Sequence, residues 1–214
     1  MTRVKICGLT TLATMSAAVE HGADYVGLVF FARSPRNVDV ETAAALADVA
    51  RGRSAVVALT VDADDMMLAG MIGQVHPDML QLHGAESAAR VAEIKTRFKL
   101  PIIKAIAVAT AADAATASDY EGLADLILFD AKAPKDAPLP GGNGVAFDWS
   151  VLSAGQRQGD FMLSGGLNSH NVGDAIARTM PYAVDVSSGV ESSPGVKDIE
   201  LIRRFLRAVK TAKH

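Results

Sequence analysis

Met79 to Ile106, MLQLHGAESAARVAEIKTRFKLPIIKAI, is the stretch whose reading decides the fold. It opens on a short Leu-rich run, Met79 to His83, bounded by Gly84, and closes on an Ile-rich run, Ile102 to Ile106, entered through Pro101. Between them Val91, Ile94 and Phe98 recur at i, i+3 and i+7, the spacing of one helix face. Strand, helix, strand in about 28 residues is the unit of a parallel sheet with helical crossovers. Working outward, six more strand candidates appear: Val4 to Cys7, Tyr25 to Phe30, Ala55 to Val61, Leu126 to Asp130, Phe161 to Ser164 and Ala183 to Ser187. Leu12, Met15 and Val19, then Leu68, Met71, Ile72 and Val75, and finally Ile199, Ile202, Leu206 and Val209, supply further helical stripes. Eight such units predict a closed (βα)8 TIM barrel, with a doubly wound open sheet as the alternative. The sixth unit is the weakest, because Asp148 to Leu152 offers only a short helix.

Composition sets the remaining bounds. The chain has 214 residues, 50% hydrophobic and 21% charged, which suits one α/β barrel domain over residues 1–214. A formal charge of −3 provides no basic face for nucleic acid. No apolar run has the length of a signal peptide core or a membrane span, so the expected location is cytoplasmic, as a monomer or homodimer without membrane partners. Cys7 is the only cysteine and acts, if at all, as a lone thiol.

Polar residues interrupt the strands in a regular way. Residues two apart share a strand face, so Lys5 and Cys7 lie together, as do Gln81 and His83; Lys104, Asp130 and Asp185 break otherwise apolar runs. The outer face of a barrel must be apolar to meet the helices. All these residues are therefore expected to point inward, at the C-terminal mouth where barrel enzymes hold their active sites. Ser164-Gly165-Gly166 and Ser187-Ser188-Gly189 close the last two strands, the recurrent phosphate site of this architecture, with Asn168 expected as a helix N-cap beside the first. After Asp130 come Pro134, Pro138, Pro140, Gly141, Gly142 and Gly144, a long loop expected to cover the site, with Phe147 and Trp149 anchoring its far end.

VKICGLT (4–10), FFARSPRNV (30–38), QLHG (81–84), FDAKAPKDAPLPGGNGVAFDW (129–149), SGGL (164–167) and DVSSGVE (185–191), in this order, resemble the phosphoribosylanthranilate isomerase family of tryptophan biosynthesis. GGNG stands where GGTG is frequent, and Val145 and Ala146 where Lys and Thr are common. The resemblance implies a small phosphoribosyl substrate and an Amadori rearrangement without metal or organic cofactor. It makes Cys7 the general base, Asp130 the general acid and Arg36 the ligand of the anthranilate carboxylate. Asp185 becomes a substrate-orienting acid, and Lys5, Gly142 and Gly144 further substrate contacts. The phosphate falls to Gly165, Gly166, Ser187, Ser188 and Gly189.

The chemistry of these residues sets two requirements. Cys7 needs its thiol activated, and Lys5 on the same face is the expected source. An aspartate serving as acid near neutral pH must hold its proton above the ordinary carboxylate range, for which a nearby lysine is unhelpful. The surroundings of Ile127 and Phe129, with closure of the loop, are the expected means. His83 receives no catalytic role, and His21, His76, His170 and His214 show no metal-ligand spacing. A sister phosphosugar barrel enzyme and a non-catalytic phosphate sensor are the competing readings.

Overall fold

The computed structural model describes residues 1–132, 148–152 and 160–212. Gly142, Gly144 and Phe147, within the expected cover, lie outside the described residues. Eight parallel strands form a closed barrel in chain order: β1 (Arg3–Cys7), β2 (Tyr25–Phe30), β3 (Ala55–Thr60), β4 (Met79–Leu82), β5 (Ile102–Val108), β6 (Leu126–Ala131), β7 (Phe161–Leu163) and β8 (Ala183–Val186). Helices α1 (Leu12–Glu20), α2 (Val40–Ala50), α3 (Asp65–Val75), α4 (Ala88–Phe98), α5 (Ala111–Ala115), α6 (Val172–Thr179) and α7 (Ile199–Thr211) follow strands one to five, seven and eight. After β6 the described residues show a single 3-10 turn, Trp149–Leu152, where sequence periodicity was thinnest. Closure removes the sheet edges that an open doubly wound sheet would leave. Among the described residues, no helix is long and apolar enough to cross a membrane.

Local chemistry explains why the elements begin where they do. Thr11, Asp39, Asp64, Ser87 and Asp198 each accept a hydrogen bond from a first-turn backbone N–H, satisfying one donor that a helix start leaves unpaired. At the opposite end of the barrel three aspartates repeat one device. Asp24, Asp78 and Asp125, each just before an even-numbered strand, accept from the backbone N–H of Val4, Val56 and Ile102 on the preceding strand, at 2.7 to 2.8 Å. That ties the strands in pairs below the mouth.

Strand alternation sorts the core into two compartments. Val4, Ile6, Val26, Leu28, Leu80, Leu82 and Ile102 face the helices, meeting Met15, Leu46, Leu68, Ile176 and Phe205. Tyr25, Val57, Ile103, Leu126, Leu128 and Met162 plug the lumen from below. This alternation overturns one expectation: Lys104 shares the outward register of Leu82 and Ile127, not the inward one of Gln81 and Leu128. Its ammonium is buried in the helix layer, 2.9 Å from Glu86 and 2.8 Å from the Gly84 carbonyl. A lysine can interrupt an apolar outer face because the loop after β4 carries its partner.

Candidate active site

The mouth is built upward from β1. Lys5 and Cys7 point inward, and Lys5 Nζ lies 2.9 Å from Asp185 Oδ1, while Ser164 Oγ donates to Asp185 Oδ2 at 3.0 Å. Lys5 is fully buried and Asp185 nearly so. Gly27, opposite Cys7 on β2, makes the arrangement possible. A Cβ there would sit 2.9 Å from Cys7 Sγ and 3.2 Å from Lys5 Nζ, so both groups occupy the space a side chain would need. The lone glycine inside YVGLVF was the available signal for this close approach.

The electrostatics of the thiol differ from expectation. Burial pushes the Cys7 thiol up; Lys5 and Lys197 pull it down, Asp185 pushes it further up, and the net direction is upward. Lys5 remains ionised, since its attraction to Asp185 and Cys7 outweighs burial. Cys7 is therefore mostly a thiol at rest near neutral pH. Proximity of a lysine does not suffice when the thiol is this deeply buried.

Asp130 enters from β6, separated from β1 by β7 and β8. Its Oδ1 accepts from Ala131 N–H at 2.9 Å, and its Oδ2 lies 3.3 Å from His83 Nε2. Ile127 and Phe129 do not surround it. They share the outward face, where Phe129 packs on Phe161 at 5.6 Å between ring centroids; Leu128 is the neighbour on the carboxyl's own side. Lys104 and Lys5, the cations that would have opposed an acid, are bound to Glu86 and Asp185. His83 is thus the side chain that meets the carboxyl, a contact that sequence periodicity did not reveal.

Arg36 crosses over the start of the loop after β1. Its Cδ lies 2.7 Å from where a Cβ on Gly8 would be, and its Nε and Nη2 donate to the two carboxylate oxygens of Glu191 at 2.7 and 2.8 Å. Glu191 also holds Lys197 Nζ at 2.6 Å, and Lys197 donates to the carbonyl and hydroxyl of Ser187, whose hydroxyl in turn donates to the Cys7 carbonyl. Glu191 and Lys197 sit on a hairpin, β9 (Glu191–Ser193) and β10 (Val196–Lys197), that the strand pattern missed because its strands are only three and two residues long. Burial pushes the Glu191 carboxyl up, but the Arg36 hydrogen bonds and the Lys197 charge outweigh it and hold it below its ordinary value. A carboxyl with a lowered folded-state pKa stabilises the fold above its unfolded value and loses that contribution as pH falls. Urea midpoints between about pH 3 and 7 should therefore drop steeply below about 4.5, the ordinary glutamate range. Glu191→Gln is expected to flatten that limb while lowering stability at neutral pH; an unchanged acid limb would refute the assignment.

The loops after β7 and β8 meet. A Cβ on Gly189 would lie 1.9 Å from the Leu167 carbonyl oxygen, so the two turns touch backbone to backbone. Among the described residues the amide N–H groups of Gly165, Gly166, Ser188 and Gly189 have no hydrogen-bond partner. The expected N-cap is displaced: α6 starts after Asn171, whose side chain makes no capping hydrogen bond, and Asn168 forms the preceding turn, its N–H donating to Asn171 Oδ1 and its Oδ1 accepting from His170 N–H. Trp149 is buried as expected of an anchor, with the Arg178 guanidinium 5.8 Å from its ring centroid.

A closed (βα)8 barrel whose mouth gathers a carboxyl on imidazole and a thiol on a lysine–aspartate pair is the framework of a barrel enzyme. Residues 4–208 match the family described as N-(5'-phosphoribosyl)anthranilate (PRA) isomerase. The N-(5'-phosphoribosyl)anthranilate isomerase of Rhodopseudomonas palustris strain BisA53 is 60% identical over 210 residues, 98% of this chain and 96% of the relative. The crystal structure of phosphoribosyl anthranilate isomerase from Thermotoga maritima superimposes with a TM-score of 0.87 at 37% identity, covering 98% of this chain and 99% of that one. A phosphoribosyl anthranilate isomerase solved in complex with reduced 1-(o-carboxyphenylamino)-1-deoxyribulose 5-phosphate gives 0.85 at 36% identity over 98% and 99% of the two chains. The chain belongs to the phosphoribosylanthranilate isomerase family, and is an isomerase of tryptophan biosynthesis.

Proposed function

We propose that the chain converts N-(5'-phosphoribosyl)anthranilate to 1-(2-carboxyphenylamino)-1-deoxyribulose 5-phosphate with Asp130 as general acid and Cys7 as general base. The observation that supports it most is the presence of a carboxyl and a thiol on the inward faces of β6 and β1 at one mouth. Asp130 gives its proton to the furanose ring oxygen as the ring C–O bond breaks toward that oxygen, and the amine lone pair forms a protonated Schiff base. Cys7 then removes the proton from C2, its electron pair forming the enolamine that tautomerises to the ketone. The order suits the resting thiol: burial keeps Cys7 protonated until the cationic Schiff base appears beside it and favours loss of the thiol proton to water at the mouth, leaving the thiolate that takes the C2 proton.

The remaining residues bind. Val29 and Leu59, packed with Cys7 and flanked by Phe31 and Val61, form an apolar wall suited to an aromatic ring. Arg36, held by Glu191, takes the anthranilate carboxylate. The amides of Gly165, Gly166, Ser188 and Gly189 take the phosphate, with Ser187 bracing the second turn from beneath. Asp185 orients the sugar, and Lys5, too buried to touch it, acts through Cys7 and Asp185. Gly142 and Gly144 are assigned substrate contacts by the family resemblance.

Purified protein treated with a chelator should turn over N-(5'-phosphoribosyl)anthranilate, with the product identified by mass and chromatography. No turnover would move the reading to another phosphosugar. In a folded Arg36→Lys variant, KM should rise about tenfold or more with a smaller change in kcat, the loss expected for a charged bidentate contact. An unchanged KM would remove Arg36 from carboxylate recognition.

A further inference from the structure

We propose that His83 is a positioning residue that resupplies the proton of Asp130, with Gln81 as the group that holds its ring. This rests on the reading of Asp130 as general acid. Asp130 must regain a proton after each turnover, and among the described residues the titratable side chain against it is His83, Nε2 to Oδ2 at 3.3 Å. On its other edge, His83 Nδ1 lies 2.8 Å from the side-chain amide of Gln81, two residues earlier on the same strand face.

Gln81 is fully buried, and its Oε1 has no partner among the described residues. When the amide N–H donates to a bare Nδ1, the single ring proton is on Nε2, facing Asp130. With the amide turned over, a change of almost no volume, Oε1 accepts from Nδ1–H and the ring carries both protons. The same contact therefore accommodates imidazole and imidazolium without moving the ring.

Among the described residues, the surroundings leave the proton to this pair. On β3 the inward neighbour is Leu59, and Asp62 beyond it is bonded to the Ala85 N–H. On β5 the register partner of Asp130 is Ala107; Lys104 is paired outward with Glu86. Lys132, two residues after Asp130, is paired with Asp113 at 3.0 Å. On β8 and β1, Asp185 and Lys5 are paired with each other, and beyond them Lys197 and Arg36 share Glu191. Imidazole is the side chain that exchanges protons near neutral pH. The step balances: Asp130 gives its proton to the substrate ring oxygen, the carboxylate takes the Nε2 proton of the imidazolium, and the imidazole regains one from water at the mouth, where the side chain is 11% exposed.

The test compares His83→Gln and His83→Ala in the intact enzyme. Glutamine still offers a neutral N–H toward Asp130 but carries no proton. Both variants are expected to lose about tenfold or more in kcat with KM within about threefold, a modest share of what positioned proton transfer contributes. Added imidazole should restore much of the rate of His83→Ala, and the alkaline fall of kcat in wild type should shift in both variants. Wild-type kcat and pH profile in His83→Gln would overturn the proposal, as would a defect in His83→Ala that imidazole does not relieve. Asp130→Asn measured alongside separates the failures. If Asp130→Asn keeps wild-type turnover, the acid assignment itself falls; if it is inactive while His83→Gln behaves as wild type, only the role of His83 falls.

Discussion

Asp130→Asn should lower kcat by about a hundredfold or more while leaving KM within a few-fold and the fold intact. The substitution preserves shape, and the amide oxygen can still accept from the Ala131 N–H, so the backbone at the end of β6 has no reason to move. What disappears is an acidic proton. An amide cannot protonate the furanose oxygen at neutral pH, and ring opening would then rely on water. A hundredfold loss corresponds to about 2.7 kcal/mol of transition-state stabilisation, and because the acid acts in the chemical step the loss belongs in kcat. The amide N–H turned toward His83 also replaces an acceptor with a donor, so a small additional loss of stability, on the order of 1 kcal/mol, is expected. Steady-state rates with urea unfolding as a fold control check both parts. Turnover within threefold of wild type would remove Asp130 from the chemistry.

Cys7→Ser carries the second large effect, again about a hundredfold or more in kcat. Oxygen replaces sulfur with little change in volume, and the neighbouring Lys5–Asp185 pair, Gly27 and Leu59 all remain. A serine hydroxyl, however, is a far weaker acid than a thiol and supplies almost no anion, even beside the cationic Schiff base. The wild-type profile should reflect the same fact from the other side. Since burial holds the Cys7 thiol above its ordinary range, kcat/KM should climb with pH until the thiol ionises, and that climb should vanish in Cys7→Ser. Alkylation of wild type by a thiol reagent, protected by product, gives an independent reading of the same atom. Full activity in the serine variant would assign the C2 proton to another group.

The barrel was legible because its cause is local. Alternation of two residues in the strands and of 3.6 in the helices is written residue by residue, and all eight strand candidates match observed strands within about two residues at each end. The same alternation placed Lys5, Cys7, Gln81, His83, Asp130 and Asp185 on inward faces. It failed at Lys104, where counting residues from an apolar run cannot tell an inward polar residue from an outward one whose partner, Glu86, arrives from the following loop. The sixth unit was faint in sequence, and among its described residues the structure shows a four-residue 3-10 turn, which has no room for an amphipathic stripe.

Which side chains exist at the mouth was thus determined by sequence alone, down to the thiol, the acid and the two glycine turns. Which of them touch was decided only by tertiary structure. Lys5 lies 180 residues from Asp185, and Arg36 lies 155 from Glu191, yet each pair is closer than 3 Å. Tertiary contact governs charge: burial holds the thiol protonated at rest against the pull of Lys5, and Asp130 faces His83 instead of a lysine. Periodicity depends on a residue's own neighbours along the chain, whereas ionisation depends on distances across the barrel that closure alone creates.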